Sequence, residues 1–269
     1  MSESAKEHWN SGSAYEGYVG RWSRRIAADF IAWLALDRGL EWADVGCGTG
    51  ALTGCILEKT EPALVRALDR SEAYLAEARA RLPDARVQFE VGDACALPWE
   101  SGSVDAAVSG LVLNFVADAD AMANEMRRVA RPGGTIAMYV WDYAEGMQMI
   151  RHFWDVAFEQ VPTASGLDEA ERFPLCRSAP LRALFERAGL QSIAVRAIEV
   201  PAVFRDFDDY WQPFLSRQGP APAYLASLPG DTQGAIRDAL EARLVPEADG
   251  TIRMMAKAWA VQGTVPLAM

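Results

Sequence analysis

Residues 40–141 alternate short apolar runs with amphipathic stretches, and this rhythm restricts the chain more than any other feature. "LEWADV" (40–45) reads as a strand that runs into a glycine loop, and Thr49–Lys59 reads as a helix. "ALVRALD" (63–69) is a second strand, followed by a helix capped by Ser71 and stopped by Pro83. "RVQFEV" (86–91) alternates with period two and is a third strand; "VDAAVSGLVL" (104–113) is a fourth. Asp118 opens a helix to about Ala130, "RPGG" (131–134) ends it, and "TIAMYVW" (135–141) is a fifth strand. Strands alternating with helices predict an α/β fold, with a parallel sheet covered on its faces by helices.

The rhythm is different outside this stretch. Trp22, Ile26, Phe30, Trp33 and Leu34 fall at helical spacing over 22–36, and 146–161 and 178–190 read as further helices. "QSIAVRAIEV" (191–200) is a sixth strand and "TIRMMAKAWAVQGTV" (251–265) the last. "DFDDYWQPFL" and "DTQGAIRDALEARL" read as helices of an insertion. The expected organisation is an N-terminal helical cap (1–39), a core (40–145), a lid insertion (146–177), more core (178–200), a helical lid insertion (201–250) and a final core strand (251–269).

The loop itself is "DVGCGTG" (44–50), followed by Ala51. Gly46, Gly48 and Ala51 satisfy the dinucleotide pattern G-x-G-x-x-G/A. Gly46, Gly48 and Gly50 also make G-x-G-x-G, the loop of S-adenosylmethionine enzymes. Both cofactors need a tight turn and a close backbone, and Asp69 is placed to accept ribose hydroxyls of either. Asp44, two residues before the first glycine, separates them. A pyrophosphate at the mouth of the loop would meet its carboxylate, whereas a sulfonium and an ammonium would be attracted to it. Asp44 as a plain turn cap is the alternative.

Composition narrows the partners. Against 26 Lys and Arg stand 37 Asp and Glu, a net charge of -11, and no basic run exceeds "RR", so a nucleic-acid partner is not expected. No stretch reaches the roughly 18 apolar residues of a membrane span, and the first twenty residues lack the pattern of a secretion signal. The four cysteines have no CxxC spacing and there are two histidines, so no metal site is expected. A cytoplasmic monomer or homodimer is the expectation.

Five segments in order, "DVGCGTG", "LDRS", "GDACALPWESGSVDAAV", "LNFVAD" and "RPGG", resemble the class I S-adenosylmethionine-dependent methyltransferases. The small-molecule branch that includes the ubiquinone and menaquinone biosynthesis enzymes is the one they are most similar to. The resemblance covers about residues 40–141. It implies a doubly wound, Rossmann-like sheet of seven strands, ordered 3-2-1-4-5-7-6 with strand 7 antiparallel, and S-adenosylmethionine as cofactor. It further implies that the backbone of Gly46, Cys47, Gly48 and Thr49 cradles the methionine part, with Asp44 beside it. Asp69 would hold the ribose, Arg70 lie beside the adenine, Asp93 and Ala94 read the adenine edge, and the Gly110 carbonyl accept from the ammonium. Ala43 departs from the bulky aliphatic that the family usually places there.

Methyl transfer is an in-line displacement with a neutral leaving group, so alignment and exclusion of water are the main tasks. The segments after strands five and six lie beyond the carboxyl ends of a parallel sheet, where ligands bind. They carry many aromatics (Phe153, Trp154, Phe158, Phe204, Phe207, Tyr210, Trp211, Phe214), which suit either an apolar or aromatic acceptor or an ordinary buried core. Tyr18, Asn114 and Trp141 are the candidate acceptor residues, Arg21 a candidate partner for the cofactor carboxylate, and His152 the candidate base. A protein or RNA methyltransferase, an inactive cofactor-binding protein and a nicotinamide oxidoreductase are the competing readings. The missing N/D-P-P-Y motif after strand four weighs against base methylation.

Overall fold

The computed structural model of the protein describes residues 20–162, 167–216 and 219–267. Seven strands form one sheet in the order β3-β2-β1-β4-β5-β7-β6. They are β1 (Glu41–Val45), β2 (Leu64–Asp69), β3 (Val87–Val91), β4 (Val104–Gly110), β5 (Ala130–Trp141), β6 (Gln191–Phe204) and β7 (Ile252–Thr264). β1 pairs in parallel with β2 and β4, as do β2 with β3 and β4 with β5. β7 is antiparallel: Gly133 N–H donates to the Val265 carbonyl and Val265 N–H to the Gly134 carbonyl. Burial follows position in the sheet. The last four residues of central β1 are all buried, while edge strand β3 is largely open.

The chain divides into two compact units. Among the described residues, a sheet unit comprises 23–140, 175–198 and 258–267; a helical unit comprises 20–22, 141–162, 167–174, 199–216 and 219–257. The helices are α1 (Arg21–Leu34), α2 (Ala51–Thr60), α3 (Glu72–Arg81), α4 (Ala119–Val129), α5 (Gln148–Gln160), α6 (Glu169–Arg172), α7 (Ser178–Arg187), α8 (Phe207–Trp211), α9 (Pro220–Ser227) and α10 (Gly230–Arg243). Among the described residues, none of the helices is long and apolar enough to cross a membrane.

In the sheet unit, Ser71 caps α3 by accepting from Tyr74 N–H at 3.3 Å, and Asp118 caps α4 by accepting from Ala121 N–H at 2.9 Å. β4 stops at Gly110 rather than running to 113, because Leu111 takes a left-handed φ of 63° and a tight turn follows at Leu113–Phe115. β5 begins at Ala130, five residues before the expected 135. "RPGG" is drawn into the strand by its contacts with Val265, a pairing partner remote in sequence.

The helical unit is built on aromatic packing. Phe153 stacks on Phe214 with ring centres 4.7 Å apart, and Trp154 packs on Phe158 at 5.5 Å and Tyr224 at 5.2 Å. The Tyr210 hydroxyl donates to the Met149 carbonyl at 3.0 Å. Two partly buried ion pairs, Lys257–Asp142 at 3.0 Å and Arg151–Asp168 at 2.6 Å, complete it. α6 and α9 were not expected from sequence. α9 starts at Pro220 after Gly219 at φ 93°, a start that a Pro-rich stretch disguises as a loop.

Candidate functional site

The residues that the resemblance implies for the cofactor lie in the sheet unit, at the carboxyl ends of β1, β2, β3 and β4. Gly46 sits at φ 77°, and a Cβ added there would lie 2.5 Å from Val112 Cγ2. Gly48, at φ 54°, has no atom within 4 Å of such a Cβ. The first glycine is needed for internal fit and the second leaves backbone open to an approaching ligand. Gly46 and Cys47 N–H groups both donate to the Leu68 carbonyl, at 2.7 and 2.9 Å, which pins the loop to β2.

Asp69 ends β2 and clasps the loop. Its Oδ2 accepts from Gly48 N–H at 2.9 Å and its Oδ1 from Ser71 N–H at 2.8 Å. A carboxylate has about four lone-pair sites, so half of its capacity remains for hydroxyl donors. Thr49 is buried and accepts from Arg81 at 3.4 Å.

Asp44 is not at the mouth of the loop, as the sequence reading had it. It is fully buried, because β1 lies in the middle of the sheet and its end is enclosed on every side. Thr53 of α2 donates to its Oδ2 at 2.6 Å, while Oδ1 has no partner. Burial raises its pKa to about 7 against the Thr53 bond, and the charge of Asp69 adds to the rise.

Asp93 is exposed at the end of β3 and Ala94 half-buried. Asp93 Oδ1 accepts from Cys95 N–H at 2.9 Å. A pair that sequence reasoning overlooked supports this connection. Glu125 accepts from Leu97 N–H at 2.7 Å, and Arg128 donates to the Leu97 and Trp99 carbonyls at 2.9 and 2.7 Å while pairing with Glu125 at 2.6 Å. Its signal is the i, i+3 spacing in "EMRR". Arg70 is exposed. The Cα of Gly110 packs so closely on the Tyr139 hydroxyl that no side chain fits there. The Asn114 Nδ2 is buried without a partner.

Arg21, Trp141 and His152 belong to the helical unit. Arg21 is engaged: it donates to the Asp209 carboxylate at 3.3 Å and lies over the rings of Trp22 and Phe204. A guanidinium neutralised in this way is not the free cation that was expected for a cofactor carboxylate. Trp141 is buried with its Nε1 unpartnered. His152, half-buried on α5, has no partner at Nδ1; burial lowers its pKa, with Arg243 of α10 adding to the fall. Tyr18 lies outside the described residues. Phe153, Trp154, Phe204, Tyr210 and Phe214 are fully buried in the core of the unit.

A family model described as a methyltransferase domain matches residues 43–138, from β1 into β5. The demethylmenaquinone methyltransferase of Lactococcus lactis is 30% identical over 172 residues, covering 58% of this chain and 67% of that protein. The chain belongs to the class I S-adenosylmethionine-dependent methyltransferases. The demethylmenaquinone methyltransferase of Roseiflexus castenholzii is 33% identical over 139 residues, 45% of this chain and 58% of that relative, so the match spans less than two thirds of it. Among solved structures, the Haemonchus contortus phosphoethanolamine N-methyltransferase 2 complex with S-adenosylhomocysteine superposes with a TM-score of 0.58 at 18% identity. It covers 95% of this chain and 57% of that one, and is a likeness of fold. The residues present fit the cofactor of the family: an unpartnered buried carboxyl oxygen below the loop, spare acceptor capacity on Asp69, and open backbone at Gly48.

Proposed function

We propose that this chain transfers the methyl group of S-adenosylmethionine to an O, N or C atom of a small, largely apolar or aromatic molecule. The observation that carries the reading is the clasp of the glycine loop by Asp69, above the buried carboxyl of Asp44. A carboxylate that clasps the loop is hostile to a pyrophosphate and favourable to a cationic ligand. S-adenosylmethionine, when bound, supplies an electrophilic methyl on a cationic sulfur whose leaving form is neutral.

The chain's own residues then have simple tasks. Backbone at Gly46–Thr49 cradles the methionine part, with Asp44 beneath it. Asp69 accepts the ribose hydroxyls, Arg70 flanks the adenine, and Asp93 and Ala94 read the adenine edge. The Gly110 carbonyl accepts from the ammonium. Asn114, with its unpartnered donor, Trp141 and Tyr18 orient the acceptor. His152 takes a proton where the acceptor must lose one; a lowered pKa keeps its imidazole neutral at neutral pH. An apolar acceptor is supported by partly exposed Phe115 after β4. The acidic charge and four free thiols suit a cytoplasmic enzyme, monomeric or homodimeric, acting on a small molecule rather than a nucleic acid.

Calorimetric titration with S-adenosylmethionine, its demethylated product and NAD tests the cofactor; binding of NAD alone overturns the reading. Transfer of labelled methyl into a metabolite extract tests turnover. Cofactor binding with no labelled product marks a binding protein without catalysis.

A further inference from the structure

Glu169 stands outside the chemistry above and is the most enclosed carboxyl of the helical unit, 1% exposed. It opens the four-residue helix α6, too short to hold itself together. Trp154 Nε1 of α5 donates a hydrogen bond to its Oε2. The Ala221 N–H, in the first turn of α9, also acts on the carboxyl. Its other oxygen, Oε1, has no partner. The same indole packs on the ring of Tyr224, whose hydroxyl is buried and unpartnered too. One carboxyl therefore joins three helices in a place that water does not reach.

That geometry suits the neutral acid. A carboxylate there would keep one oxygen without a donor in an apolar surround, which is costly. The charges facing it offer little relief. Just before α6 the neighbouring Asp168 carboxylate opposes ionisation. On α5, Arg151 is committed to Asp168 at 2.6 Å and to Asp155 at 3.6 Å. α9 carries no charged residue.

We propose that Glu169 is a protonation-controlled latch of the helical unit: as the neutral acid it fastens α6 to α5 and α9, and on releasing its proton to solvent it lets α6 come away. Burial, the largest influence, raises its pKa to about 7. The residue's own N–H, the Trp154 bond and the Ala221 N–H pull the other way, and the Asp168 charge adds to the rise. Opening becomes easier as pH rises from the ordinary glutamate value of 4.5 to about 7 and levels off above it.

The test uses the full chain without cofactor, so it does not depend on methyl transfer. The indole N–H resonance of Trp154, assigned with Trp154→Phe, is followed from pH 5.5 to 8.5 in the wild type and in Glu169→Gln. The glutamine imitates the neutral acid. The wild-type resonance is expected to shift with a midpoint near 7, and the variant's to stay still. Tryptic cleavage after Arg172, expressed as the wild-type rate over the Glu169→Gln rate, is expected to rise about tenfold between pH 6 and 8, as ionisation passes from minor to major. A constant ratio overturns the latch, as does a Trp154 shift that persists in the variant. If Glu169→Gln does not fold, a wild-type Trp154 resonance without an inflection near neutrality overturns it equally.

Discussion

Replacing Asp44 with asparagine isolates the cost of a carboxyl buried under the cofactor loop. The folded-state pKa is raised from 3.8 to about 7. At about 1.36 kcal/mol per unit, this amounts to roughly 4 kcal/mol. The sign follows from proton counting. Below 3.8 both folded and unfolded chains hold the proton and Asp44 contributes nothing. Between 3.8 and 7 the unfolded chain releases a proton that the folded chain keeps, so stability falls as pH rises. Above 7 the whole cost is present. Asparagine keeps an oxygen for the Thr53 hydroxyl, which donates at 2.6 Å in the wild type, and never ionises. Urea unfolding of the cofactor-free proteins at pH 4, 5.5 and 8 is the assay. The two are expected to be close at pH 4, with the variant ahead by about 4 kcal/mol at pH 8. Glu169 titrates in the same range, but it is present in both proteins and cancels. A cationic cofactor reverses the preference, so wild-type affinity for S-adenosylmethionine rises with pH through about 7, with a proton released on binding at pH 6, and the variant shows neither. Parallel stability curves for the two proteins from pH 4 to 8 refute the reasoning.

Other substitutions test the rest of the site. Gly46→Ala forces a side chain to φ 77° and 2.5 Å from Val112, and is expected to lower stability by about 2 kcal/mol, with partial recovery when Val112→Ala is added; thermal unfolding reads both. Asp69→Asn removes the charge that draws in the Gly48 and Ser71 N–H groups and is expected to weaken S-adenosylmethionine at least tenfold by calorimetry; unchanged affinity removes Asp69 from the cofactor site. His152→Ala is expected to abolish the acid limb of the methyl-transfer pH profile, a limb lying below the usual imidazole range because burial lowers this pKa. An unaltered profile removes the base role.

The sheet of this protein was legible in its sequence because local rules govern it. Period-two runs such as "RVQFEV" mark strands by their own pattern, and Ser71 and Asp118 mark helix starts by side-chain chemistry that needs no distant partner. The loop glycines were legible because a tight turn admits few residues, and Asp69 because it ends the second strand. What the tertiary structure alone decided were the contacts made across distance in sequence. Val112 fills the space over Gly46, and Val265 draws "RPGG" into β5. Enclosure beneath α2 turns Asp44 from an open charge into a buried acid, and Asp209 claims the guanidinium of Arg21. Glu169 belongs with these: in "LDEAER" it is one acidic residue among several, and only its enclosure by the fold makes its charge costly. A residue type announces what a side chain is able to do; the dielectric and the partners that the fold places around it set whether it does so.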